Sequence, residues 1–298
     1  MDNDAKRKPL GSIELETGRK DIFPTNDFFL SYLFDNPEYW EALRLIVNII
    51  ITKYLSLVPE SRIEPIEGDI EVKTQYKIIT DRAKTAKVQD LRVESAKNIT
   101  YVEVQNSAMS KPPIATRAIE YFGISLGNNR SKDVTQMWIL AEDVDGLLHG
   151  EAYTNYILSD EKSGIKYPLN NNLMFVSLKR LALGDDEGAE LARFLLGKDS
   201  LHESATVKKV AELFGKGFTT FIDDREAINS MSVVDKMIYE AEERSLEKGR
   251  EEGVEKGKIE TAIEMFEDGF DVERIARYVK LPVEKLKEVL DAYKLENQ

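Results

Sequence analysis

Apolar positions along the chain follow two periods that replace one another several times. Thr25-Asn26-Asp27 precedes Phe28, Phe29, Tyr32, Leu33 and Phe34, which recur at helical spacing behind a capping residue. Pro37 interrupts that run. From Tyr39 to Leu55 the residues Leu43, Ile46, Val47, Ile50 and Ile51 share one stripe, which predicts a second helix with a core-facing side. After about residue 62 the period shortens, and 70–80, 88–94 and 99–105 read as short, β-branched strands. The segment 117–126 returns to helical spacing. The segments 136–140 and 173–178 read as further strands, buried on both faces if the sheet is central, and 187–230 returns to helical spacing. The expected fold class is α/β, a mixed sheet flanked by helices with a helical C-terminal extension.

The two ends differ from this pattern. Residues 1–20 mix charge and glycine without periodicity and are expected to form a mobile tail. Between 240 and 261 Glu, Lys and Arg dominate, while Gly249, Gly253 and Gly257 recur every fourth residue. That helix reads either as a solvated linker, each glycine costing about 1 kcal/mol against alanine, or as a surface for close helix–helix approach in a dimer. The segments 263–266, 272–279 and 283–293 read as short helices broken by Gly269 and by Leu281-Pro282. Residues 269–286 resemble a small helix-turn-helix, with Asp271 as cap and Ile275, Ala276 and Val279 facing Leu286 and Leu290. Its second helix offers Glu284, Lys285, Lys287 and Glu288 instead of base-reading side chains, which favours a packing or dimer element. The expected division is therefore a tail (1–20), a core (21–185), a helical region packed on it (186–232) and a C-terminal helical part (233–298).

Composition narrows the chemistry. The 298 residues hold 54 acidic and 41 basic side chains, a formal charge of −13, with two histidines and no cysteine. Disulfides, thiolate metal sites, a cysteine nucleophile and multi-histidine centres are excluded, so any metal falls to carboxylates. No apolar stretch approaches the roughly 20 residues of a membrane span, and the expected location is the cytoplasm. The negative charge argues against general coating of nucleic acid, yet is compatible with a nuclease whose local site is basic or metal-loaded.

The segment from Gln89 to Gln105 carries the candidate chemistry. It reads as two strands joined by a turn around Ala96-Lys97, a register that sets Asp90 opposite Glu103. The period of two puts Tyr101, Glu103 and Gln105 on one face, and Leu91, Val93, Thr100, Val102 and Val104 on the other. Like charges facing each other across strands are destabilising, and a divalent cation would relieve them. One or two carboxylates completed by water and substrate phosphate is the coordination that Mg²⁺ prefers. Pairing of Arg92 with Glu94 or Glu103 would instead make this an ordinary charged hairpin.

Three blocks in order resemble the PD-(D/E)xK nuclease family transposases, the recombination-promoting nucleases. Residues 25–34, Thr-Asn-Asp-Phe-Phe-Leu-Ser-Tyr-Leu-Phe, resemble the family's opening T-x-D-x-x-F-K-x-x-F. Asp90 followed by Glu103-Val104-Gln105 resembles its D…E-x-Q signature, and Arg117 to Tyr121 its R-x-x-x-Y. The likeness spans 21–185. It implies a restriction-endonuclease-like core cleaving DNA with Mg²⁺, for which Mn²⁺ could substitute. Asp90 and Glu103 would be metal ligands, Gln105 would stand in the place of the motif's lysine, and Asp27 would add a further acid. Arg117 and Tyr121 would contact phosphate or brace the site. Lys111, Arg130 and Lys132 offer further phosphate contacts in sequence nearby. Leu30 and Ser31 depart from the family's phenylalanine and lysine. Together with the neutral Gln105 and the net charge, they favour an alternative, a nuclease-fold protein with weak or no activity that binds protein partners.

Overall fold

The computed structural model describes residues 7–15, 17–80, 83–107, 113–129, 131–144, 146–158, 161–162, 170–198 and 203–296. The chain divides into two compact units, Met1–Met231 and Ser232–Gln298.

The first unit opens with a hairpin, β1 (Gly11–Leu15) paired antiparallel to β2 (Gly18–Ile22). Over 11–15 and 18–20 this replaces the tail expected for 1–20, of which residues 1–6 and 16 lie outside the described residues. Ile13 and Ile22 are buried and join the main core, and Gly18, at φ 116°, makes the tight reversal that an L side chain would resist. Two buried residues among many charges leave too weak a period to read.

Next come α1 (Asp27–Asp35), a 3₁₀ turn at Pro37–Tyr39 and α2 (Trp40–Leu57). The Asn26 side chain caps α1 by accepting from the Phe29 amide at 2.9 Å. Then follow β3 (Glu71–Thr80), β4 (Ala83–Glu94), β5 (Asn98–Gln105), α3 (Ile114–Asn128), β6 (Asp133–Leu140), β7 (Tyr153–Ile157) and β8 (Asn172–Ser177). The short α4 (Leu178–Leu181), α5 (Glu187–Leu195) and α6 (Ala205–Asp223) complete this part. Strands β3 to β8 form one mixed six-stranded sheet in the order β3-β4-β5-β6-β8-β7, with β5-β6 and β6-β8 parallel and the other pairs antiparallel. The expected α/β class, mixed sheet and flanking helices are present.

Both faces of the sheet are covered. On one, Leu91, Val93, Val102, Met137, Ile139, Met174 and Val176 pack with apolar residues of α1, α2, α5 and α6. On the other, Trp138, Leu140, Leu173 and Phe175 pack against Ile114, Ala118, Tyr121 and Phe122, the apolar stripe of α3. Residues of α5 and α6 thus belong to the main core. No described helix is long and apolar enough to cross a membrane.

Helix α7 (Arg225–Glu267) runs across the unit boundary, and α8 (Val272–Val279) and α9 (Val283–Glu296) follow. The charged stretch and the short apolar segment at 263–266 are thus one continuous helix. The second unit has a core of its own, in which Ala262, Ile275, Ala276, Val279, Leu286 and Leu290 are buried. Asp271 caps α8 by accepting from the Arg274 amide at 2.9 Å. Among the described residues, and apart from the helix's own adjacent backbone, nothing lies within 4 Å of the position a Cβ would take at Gly249, Gly253 or Gly257.

Candidate functional site

The hairpin register is the expected one. Leu91 pairs with Val102, Arg92 with Tyr101, Val93 with Thr100 and Glu94 with Ile99. One further step along these strands sets Asp90 across from Glu103. Side chains take over from the ladder here. The Asp90 amide donates to Glu103 Oε1 at 3.1 Å, and the Val104 amide donates to Asp90 Oδ2 at 3.2 Å. Each carboxylate is therefore fixed by the other strand's backbone, which compensates part of the cost of holding two acids side by side.

Glu103 is 2% exposed. Burial pushes its carboxyl well above the usual range, and the Asp90 charge pushes it further. Asp90 is also raised, first by burial, against the lowering effects of the Val104 amide and Arg117. Arg92 belongs elsewhere: its guanidinium meets Glu94 at 2.5 Å, leaving Glu103 without that partner.

Asp27 approaches from the helix layer. It opens α1, whose residues pack on the sheet face opposite α3, and it lies within electrostatic reach of Asp90. Asp27 stands at the rim with one side open to solvent and protein around the rest. That burial, followed by the Asp90 charge, raises its carboxyl from 3.8 to about 6. Asn106 ties the layers together, its Nδ2 donating to the Thr25 carbonyl at 2.6 Å and to Asp27 Oδ1 at 3.1 Å. Sequence reasoning missed Asn106. Its only signal is its place directly after Gln105, where the strand ends.

Arg117 supplies positive charge from α3. Its Nη1 donates to Gln105 Oε1 at 3.1 Å, and its Nη2 stands 3.9 Å from Glu103 Oε2. A guanidinium only donates, so it fixes Gln105 with the carbonyl oxygen toward it and the amide N–H groups as what the side chain offers elsewhere. Gln105 is thereby a donor and no base. The guanidinium lies 5.2 Å from the Trp138 ring centroid and 5.8 Å from that of Tyr121, an aromatic backing that holds the cation in place. Trp138 pairs with Glu103 in the β5–β6 ladder and is fully buried, a second contributor the sequence reading placed only in the core. Tyr121 is buried against Trp138, ring centroids 6.0 Å apart, and so braces.

Asp27, Asp90, Glu103, Gln105, Arg117 and Tyr121 are thus gathered at one end of β5. Lys132 is not among them. Its Nζ donates to Glu94 Oε1 at 2.7 Å and to the Ser95 carbonyl at 2.8 Å, at the opposite end of the strands, and the expected basic cluster loses that member. Lys111 and Arg130 lie outside the described residues.

The chain matches no family model, no curated protein and no solved structure.

The donor set admits a hard divalent cation. Arg117 lowers the pKa of all three carboxylates, while burial raises each of them first and the Asp90 charge then raises Asp27 and Glu103 further. Among the described residues no group of three or more His, Cys, Asp or Glu side chains is close enough to hold an ion by itself. A cage of that kind suits Ca²⁺ or Zn²⁺. Mg²⁺ keeps several waters and uses one or two carboxylates, which Asp90 and Glu103 fit.

Proposed function

We propose that this protein is a Mg²⁺-dependent DNA endonuclease of the cytoplasm, with a restriction-endonuclease-like core of the PD-(D/E)xK kind. The observation that carries the reading is the Asp90–Glu103 pair, set side by side and locked by reciprocal backbone amides, with Arg117 Nη2 3.9 Å from Glu103 Oε2. Mg²⁺ held by Asp90 and Glu103 would supply a water made acidic enough to attack and a polarised phosphoryl oxygen. Gln105 donates its amide hydrogens to a water or phosphate oxygen, in the orientation Arg117 imposes. Arg117, backed by Trp138 and Tyr121, stabilises negative charge that grows on the phosphorus oxygens. Asp27 at the rim holds or takes up a proton near neutral pH.

A second reading, a nuclease-fold module that binds protein, is favoured by the absence of a three-residue ion cage among the described residues. Plasmid cleavage with Mg²⁺ or Mn²⁺ separates the two. Wild type is expected to nick or cut, Asp90→Asn and Glu103→Gln to fall to background, and Arg117→Ala to lose about 10²–10³-fold. Equal cleavage by all four proteins would remove the assignment.

The second unit is proposed to pair two chains. Exposed Val233, Met237 and Val254, together with the unobstructed glycines of α7, support a close helix approach.

A further inference from the structure

The outward face of α8 sets cations beside an exposed ring. Ile275, Ala276 and Val279 are spent on the core of the second unit. On the other side of the helix Arg274, Arg277 and Tyr278 recur at helical spacing, and all are exposed, Tyr278 to 71%. Lys280 follows at the helix end in the left-handed conformation, φ 55°, its amide donating to the Ala276 carbonyl. Residues 274–280 thus hold Arg274, Arg277 and Lys280 and no acid, in a chain whose formal charge is −13. Among the described residues none of these three cations forms an ion pair, whereas Lys285 on α9 is held by Glu255. The Arg274 guanidinium lies 4.8 Å from the Phe270 ring centroid, and Arg277 Nε donates to the Glu273 carbonyl at 3.3 Å. Both side chains are steadied by groups that leave their charge unbalanced.

Like charges one helical turn apart repel, and an anionic partner removes that cost. At 1.5 Å rise per residue, Arg274, Arg277 and Lys280 fall about 4.5 Å apart, a line of charge about 9 Å long. An anionic membrane is a poor match, because a surface helix enters lipid by its apolar side and that of α8 is already buried in protein. An acidic peptide would satisfy the cations and leave the ring uncovered. A polyanion whose charges alternate with flat rings answers both parts of the face, phosphates on the cations and a base on Tyr278. In a duplex the base faces are stacked on one another, so the ring selects an unpaired strand. We propose that α8 binds single-stranded nucleic acid without reading its sequence, with Arg274, Arg277 and Lys280 neutralising phosphates and Tyr278 stacking on a base. Helix α9 keeps the packing role that Leu286 and Leu290 give it. The inference stands without the nuclease reading.

The experiment measures anisotropy of a fluorescent oligothymidylate titrated with the full chain across a salt series, without divalent metal. Loss of three phosphate contacts in Arg274→Ala/Arg277→Ala/Lys280→Gly should reduce the slope of log K against log salt by about 2.1. Glycine takes the left-handed conformation freely, so the change at 280 does not strain the fold. Arg274→Lys/Arg277→Lys is expected to keep the wild-type slope, as is Lys208→Ala/Lys209→Ala on α6. Tyr278→Ala should weaken binding about 5- to 100-fold, with Tyr278→Phe close to wild type. An unchanged slope in a triple variant that melts like wild type would overturn the proposal. So would a wild type that fails to bind at low salt, or that prefers the thymidylate–adenylate duplex or phosphatidylserine vesicles. Where the triple variant melts lower, Tyr278→Ala decides, because a ring so exposed takes little part in the core. Unchanged affinity in that variant overturns the proposal as well.

Discussion

At Glu103 the free energy of folding and the proposed chemistry pull in opposite directions. Its carboxyl is raised well above the ordinary range by burial and by Asp90, so ionising it in the native state costs more than in the unfolded chain. Glu103→Gln keeps an oxygen to accept from the Asp90 amide and removes the charge. It is expected to stabilise the metal-free protein by about 1 kcal/mol, a rise of roughly 2–4 °C in melting temperature, while cleavage is lost. Calorimetry checks this, and a lower melting temperature would show that Arg117 already neutralises the pair. The same logic gives a pH dependence. Asp27 has a folded value of about 6 against 3.8 as its ordinary one, so between these values the native state binds more protons than the unfolded chain. Stability contributed by this residue therefore falls as pH rises through that window, the reverse of a salt-bridged carboxylate. Asp27→Asn should flatten that fall in a melting series without divalent ions. Asp90→Asn should lower the Asp27 midpoint followed by carboxyl NMR, because a negative neighbour has gone.

Helix packing sets where α1, and with it Asp27, can stand. An added Cβ at Gly217 on α6 would come within 2.1 Å of Leu33 Cδ1, and Leu33 is fully buried on α1. At Gly215, two residues earlier on the same helix, nothing lies within 4 Å. Gly215→Ala should therefore gain up to about 1 kcal/mol from helix propensity alone. Gly217→Ala should lose about 1–3 kcal/mol by overpacking, less that same gain. Chemical denaturation of the pair reads the difference, and equal midpoints would mean that Leu33 moves aside freely. Such contacts explain what could be read in advance. Strands 88–94 and 99–105 were legible because one face of each buries a run of β-branched residues, and the turn at Ala96-Lys97 then fixed Asp90 against Glu103. Capping by Asn26 and Asp271 was legible because short polar side chains ahead of apolar periods have few other uses. The hairpin at 11–22 was not, because two buried residues among many charges leave too weak a period; nor were the strand β7 and the role of Asn106, which depend on partners elsewhere along the chain. Trp138 looked like core and is core. That it also backs Arg117 follows only from the parallel pairing of β5 with β6.

Across the whole chain, two cores in one sequence imply two separable folding units. Ala227 and Met231 at the start of α7 are buried in the first core, while Ala262, Ile275 and Leu286 close the second. A protein ending after Met231 retains every described residue of the site and the apolar residues that support it. It is expected to melt cooperatively near the temperature of the corresponding transition in the full chain and, on the nuclease reading, to keep Mg²⁺-dependent cleavage. Its oligomeric state is the more discriminating measurement. If Val233, Met237, Val254 and the glycine face of α7 bring two chains together, sedimentation equilibrium should give a dimer for the full chain and a monomer for the shortened one. Replacing Gly253 by leucine should weaken that dimer, because a side chain would occupy the space a close helix needs, while the single-chain fold has nothing within 4 Å to clash with it. A shortened protein that stays dimeric would move the interface into the first unit, and a full chain that is monomeric throughout would leave the α7 glycines as a solvated linker.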